Sequence, residues 1–125
     1  KANQRDAHDL ALREMATTDP TKARAYFDLQ SLQPDEMAKG APQQQRQLLF
    51  EKYKLDNPQF TGRLAEMEFE EEYENKFALA QDGDADDPAT ERAKLRLEAA
   101  LKSAAPALKA AKDAFEAAFK KKLME

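Results

Sequence analysis

Apolar residues recur every three or four positions along much of this chain, which is the spacing that places side chains on one face of an α-helix. In the last third, this series comprises Ala93, Leu97, Leu101 and Ala104, and charged residues occupy the positions between them. A second series in the same segment consists of Leu108, Ala111, Phe115, Phe119 and Leu123. The pattern predicts an all-α protein.

Pro106 interrupts the segment between these two series. Its ring disfavours a helical conformation at the preceding residue, and its missing N–H removes one backbone hydrogen bond. At the other end, Asp87 precedes Pro88, which favours a helix start because a carboxylate accepts the first free amide hydrogens and proline tolerates the first turn. We therefore predict an αα-hairpin over residues 88–125, with a tight turn or sharp kink near residues 103–106.

Proline residues also divide the first half of the chain into short segments with helical spacing. Helices shorter than about 12 to 15 residues are marginal in water, so these segments need to pack against one another. The predicted helices are Asn3–Thr17, one from Pro20 to near Gln33, a single turn over Pro34–Lys39 and one from Pro42 to Asn57.

The longest uninterrupted helix is predicted at about residues 60–80, and it carries two apolar stripes. Phe60, Leu64 and Met67 lie near one side. The other stripe consists of Phe69, Tyr73, Phe77 and Ala80. Two stripes on one helix imply two neighbours, which suits either the spine of a bundle or a helix that contacts its own chain on one side and another subunit on the other.

Charge is unevenly distributed around the net value of −4. Residues 64–87 hold 1 Lys or Arg against 10 Asp or Glu, whereas residues 88–125 hold 9 against 5. The acidic middle and the basic tail could neutralise each other within one chain or associate head to tail between copies. The glutamates of the central helix could equally form a solvated face or dock a basic partner.

The chain carries a run of three lysines near its C-terminus, Lys120 to Lys122. These lysines either complement the negative end of the helix dipole or form a basic docking patch. No aromatic side chain lies between them to stack on a base, which favours protein partners, in a homo- or hetero-oligomer, over nucleic acid. The predicted protein-binding residues are Phe69, Tyr73, Phe77, Phe115, Phe119, Lys120, Lys121 and Lys122.

The residues that enzyme and metal sites need are scarce in this chain. The only histidine, His8, has no second histidine or cysteine to share a metal, and neither serine lies in a nucleophile motif. Asp82, Asp84 and Asp86 resemble the start of a calcium-binding loop, but the positions that follow lack the glycine and the glutamate such a loop requires. We therefore predict no enzyme activity, no metal, no cofactor and no small-molecule substrate.

The composition of the chain bears on the kind of bundle it forms and on the compartment in which it folds. Charged residues make up 35% of it and mean hydropathy is −0.86, which favours an open multi-helix bundle or helical array over a thick globular core. Cysteine is absent, which favours a reducing compartment over secretion, and no apolar run has the length of a membrane span. The chain begins with Lys1, so we expect a processed or partial chain.

These patterns divide the chain into a helical region at residues 1–81, an acidic linker at 82–87 and the predicted hairpin at 88–125. The basic hairpin resembles in architecture the coat-binding end of bacteriophage scaffolding proteins, and an accessory subunit of an organellar complex fits the pattern equally well. We expect a non-catalytic structural subunit or assembly module that acts through protein contacts. The alternative is a helical adaptor or nucleic-acid-associated regulator that uses the basic C-terminal segment.

Overall fold

The structure of the protein is a computed structural model that describes residue 10, residues 13–15 and residues 17–124. His8 and most of the predicted first helix lie outside these residues. Within the described part of the chain, regular secondary structure is helical and no strand occurs. The all-α prediction is therefore confirmed.

Five helices with defined bounds follow one another along the described residues. They are α1 (Pro20–Gln30), α2 (Pro34–Ala38), α3 (Pro42–Asp56), α4 (Gly62–Asp82) and α5 (Pro88–Met124). Proline is the first residue of four of them, as the sequence predicted, because its fixed φ suits the first helical turn and its missing N–H has no partner there.

The starts of α4 and α5 use different local chemistry. The backbone N–H of Ala89 donates to the Asp87 Oδ1 atom at 2.9 Å, so the aspartate caps α5 as predicted. In contrast, Thr61 makes no side-chain cap on α4, and Gly62 begins that helix with a φ of 55°. This left-handed conformation is accessible to glycine because it has no Cβ.

The predicted hairpin at the C-terminus is wrong, because α5 runs without interruption from Pro88 to Met124 and contains Pro106. The proline ring lies on the exposed side of the helix, whereas Ala104, Ala105 and Leu108 around it are buried. The hydrogen bond that Pro106 cannot make would go to the carbonyl of Lys102, and Lys102 is an exposed residue. A helix carbonyl without a backbone donor costs less where water can reach it. Burial of the neighbouring side chains outweighs the local preference for a turn, so the likeness to a scaffolding-protein hairpin has no structural basis.

The chain forms two compact units, and α5 contributes to both. We call residues 1–32 with 108–125 the terminal unit and residues 33–107 the central unit. In the terminal unit, buried Tyr26 packs against Met15 and against the edge of Phe115, with ring centroids 6.1 Å apart. The Lys112 Nζ atom donates to the Leu32 carbonyl at 3.1 Å in the same unit.

The core of the central unit is built from α3, α4 and α5. Leu48 and Leu49 are its buried apolar residues from α3. An aromatic row supplies the part from α4, with ring centroids 5.6 Å apart between Phe69 and Tyr73 and 5.3 Å between Tyr73 and Phe77. The buried apolar residues that α5 contributes to this unit are Ala93, Leu101, Ala104 and Ala105.

Candidate protein-binding surface

Three of the predicted protein-binding residues lie in the core of the central unit. Phe69, Tyr73 and Phe77 recur every four residues on one side of α4, and Tyr73 is only 2% exposed. The rings of Phe50 and Tyr53 on α3 contact Phe69, at centroid distances of 5.1 and 5.8 Å. The predicted stripe therefore holds the fold together and presents little surface to a partner.

Arg46 of α3 covers the edge of this aromatic row. Its guanidinium carbon lies 4.8 Å from the centroid of the Tyr73 ring, and its Nη2 atom donates to Glu70 Oε1 at 2.8 Å. Burial raises the pKa of the Tyr73 phenol, while the positive charge of Arg46 and a hydrogen bond from Gln81 oppose that rise. Arg46 thus links an acidic side chain on α4 to the core.

The opposite side of α4 is accessible and carries Leu64 and Met67 of the other predicted stripe, whereas Phe60 lies before the helix begins and its ring is 6.4 Å from that of Tyr53. Leu64 is 48% exposed and Met67 is 60% exposed. At intervals of three and four residues the same strip continues through Glu71, Glu74 and Ala78. We call these five residues the outer face of α4. Its first two positions are apolar and its next two are carboxylates.

A groove adjoins the outer face of α4. It lies between α3 and the first turns of α4 and has a volume of about 450 Å³. Phe50 and Met67 supply apolar lining, and Arg46, Arg63 and Glu70 supply charged lining. Because Met67 belongs to both, the groove extends the accessible apolar surface of the outer face towards α3.

A second strip of the same kind lies on α5 within the central unit. Arg92, Leu95, Ala99 and Lys102 are all exposed and follow one another at intervals of three and four residues. We call these four residues the outer face of α5. Leu95 is 56% exposed and lies off the apolar series that predicts the buried side of the helix. That displacement is the signal by which this face could have been found from the sequence.

A larger groove of about 720 Å³ lies between the α2 region and α5 of the central unit. Leu97 and Leu101 contribute apolar lining, and Lys94, Glu98 and Lys102 contribute charges of both signs. Lys102 and Glu98 form an ion pair at 3.4 Å, and both side chains are largely exposed. Such exposed pairs add little stability, so Lys102 can leave Glu98 and pair with a carboxylate of a binding partner at little cost.

The remaining predicted binding residues lie near the end of α5. Phe115 is half-buried against Tyr26, and burial together with the nearby Glu116 raises the pKa of that tyrosine. Lys120 and Lys121 are exposed, while the side chains of Phe119 and Lys122 lie outside the described residues. Docking by the basic C-terminus therefore stays a prediction.

The described residues hold no group of three or more histidine, cysteine or acidic side chains that could bind a metal ion. In the segment that resembled a calcium loop, Asp84 Oδ1 accepts a hydrogen bond from the Asp86 backbone and Asp87 caps α5. None of the described helices combines the length and the apolar character that crossing a bilayer requires.

Comparison of the chain with protein-family models, with curated proteins and with solved structures found no match.

Proposed function

We propose that this chain is a non-catalytic helical subunit that assembles with other protein through the outer face of α4. The observation that carries the proposal is the joint exposure of Leu64 and Met67 on one strip, beside a groove lined by Phe50. Burying an apolar side chain of this size contributes about 1.5 to 3 kcal/mol. A partner that covers both side chains therefore gains a substantial favourable contribution to its binding free energy. Contiguous exposed apolar surface with a polar rim is typical of protein interaction sites.

The charges around this strip support a partner that brings cations. Glu66, Glu70 and Glu74 follow one another at intervals of four residues along α4, so their like charges oppose each other. Within this part of the helix, Arg46 pairs with Glu70, and Lys76 pairs with Glu72 at 2.5 Å. Basic side chains on a partner would offset the charge of Glu71 and Glu74 while apolar ones cover Leu64 and Met67. A helix with apolar and basic positions on one face meets both requirements.

Affinity purification from the native source tests this proposal with matched variants. We expect proteins that are recovered with the wild-type chain to be lost with the double variant Leu64→Gln/Met67→Gln. The control is Leu79→Gln, because Leu79 is 46% exposed on the same helix but lies about 120° from Met67 around its axis, outside the outer face. Recovery of the same proteins by all three chains, with equal helical content by circular dichroism, would contradict the proposal.

A further inference from the structure

We infer that the outer face of α4 binds the outer face of α5 in a second copy of this chain. This inference rests on the proposed function and names its partner. Both strips lie on the central unit, both are accessible, and both repeat at alternating intervals of three and four residues. That repeat is the one by which two helices pack side chains into each other along a shared seam.

The chemistry of the two faces is complementary. The outer face of α4 offers the apolar pair Leu64 and Met67 and then two carboxylates, whereas the outer face of α5 offers Leu95 beside Ala99 with a cation at each end. A seam between them covers the exposed leucines and the methionine. A parallel seam with Leu64 opposite Leu95 places Lys102 opposite Glu71, and an antiparallel seam with Met67 opposite Ala99 places Arg92 opposite Glu74. Arg92 and Lys102 are both exposed, and they lie on a helix whose other side is packed in the core of the central unit.

The same charges argue against a seam between two α4 helices. If two outer faces of α4 paired along their full length, Glu71 would face Glu71 of the other copy in either orientation, and Glu74 would face Glu74 when the helices run parallel. Like charges opposed at an interface cost several kcal/mol. A second copy therefore presents α5, and each molecule contributes two different faces to the assembly. Such a contact is heterologous, because it joins two different surface patches. Two copies could also form it twice, with α4 of each copy bound to α5 of the other.

Charge-swapped variants test the inference by light scattering across a range of protein concentrations. We expect the wild-type chain to self-associate, and to do so less in high salt because exposed charges are screened. Glu71→Lys/Glu74→Lys and Arg92→Glu/Lys102→Glu should each weaken self-association by about tenfold or more. An equimolar mixture of the two variants should restore association, because each copy then meets an oppositely charged face.

The control variant is Glu36→Lys/Asp86→Lys, which changes two exposed acidic residues of the central unit outside both faces. It should associate like the wild type, and circular dichroism should show equal helicity for every variant. A monomeric wild type, unaffected association in the charge-swapped variants, or a mixture that fails to reassociate would each overturn the inference. If the wild type is monomeric while Leu64→Gln/Met67→Gln still loses its native partners, the proposed function stands and only the second copy is wrong.

Discussion

At the scale of single residues, Thr90 stands out in the first turn of α5. Its side chain is 1% exposed, and its hydroxyl has no hydrogen-bond partner among the described residues. Gly83 lies against it, since a Cβ on that glycine would come within 2.3 Å of Thr90 Oγ1 and 2.5 Å of the Leu79 carbonyl oxygen. The close approach of α4 and α5 at this point therefore requires glycine at position 83.

We predict that Thr90→Val stabilises the protein by about 1 kcal/mol, because a buried hydroxyl without a partner costs about 1 to 3 kcal/mol and valine has nearly the same shape. Urea unfolding followed by circular dichroism measures the change. The matched control is Thr90→Ser, which keeps the hydroxyl and loses a methyl group, and it should be less stable than the wild type. A loss of stability in Thr90→Val would mean that the hydroxyl is satisfied in solution.

At the scale of elements, the continuity of α5 through Pro106 depends on packing on both sides of the proline. Ala104 and Leu108 are fully buried, while Pro106 is exposed and costs the helix a hydrogen bond at a wet surface. A proline in a helix interior costs about 3 kcal/mol relative to alanine. The helix continues despite this cost because ending at residue 105 would expose apolar side chains that are buried in the continuous helix.

Replacing this proline tests that account. Pro106→Ala should raise the free energy of unfolding by up to about 3 kcal/mol and preserve or increase helical content, because the backbone N–H at position 106 is restored. Denaturant unfolding and circular dichroism of the two chains provide the comparison. If the alanine variant is no more stable, or if wild-type helicity falls short of a helix through residues 88–124, a turn at this position would be supported instead.

Much of the helical order could be predicted from the sequence, because proline and aspartate mark helix starts by local chemistry. The starts of α1, α2, α3 and α5 all coincide with prolines that the pattern had indicated. The continuity of α5 could not be predicted, since it depends on burial of Ala104 and Leu108 by residues distant in sequence. Rules based on local sequence include the unfavourable effect of Pro106 but not the burial of Ala104 and Leu108 that offsets it.

The two stripes of α4 were also predictable, but their roles were not. Phe69, Tyr73 and Phe77 are as apolar as a binding surface requires, and only the contacts with α3 show that they are internal. Leu64 and Met67 were recognised as a stripe and proved to be the exposed one. The outer face of α5 went unnoticed because its apolar content is only one leucine and one alanine between two cations.

At the scale of the whole molecule, both units contain a tyrosine whose ionisation opposes folding. Burial is the main cause that raises the pKa of Tyr26 in the terminal unit and of Tyr53 and Tyr73 in the central unit above the ordinary value of 10.0. Nearby carboxylates add to the rise, from Glu116 at Tyr26 and chiefly from Glu72 at Tyr53. The folded protein therefore favours the neutral phenols.

We predict that tyrosine ionisation leaves stability unaffected well below pH 10 and lowers it as the pH rises above that value. The unfolded chain loses its phenolic protons near pH 10 while the folded chain retains them, so ionisation favours unfolding there. Urea midpoints between about pH 8 and pH 11, with tyrosine absorbance recorded in parallel, measure the effect. Tyr73→Phe should show a shallower decline, and an increase in stability above pH 10 would contradict this interpretation.

The assembly that we propose depends on contact between the outer faces of α4 and α5 of different copies. The chain contains no cysteine, so single cysteines can report that contact without background. Oxidation of a mixture of Met67→Cys and Leu95→Cys chains, separated on a non-reducing gel, is the most direct measurement. We predict that the mixed disulfide exceeds both like-with-like products and is absent when Glu36→Cys replaces either partner. A statistical mixture of the three products, or no cross-linking, would contradict the account.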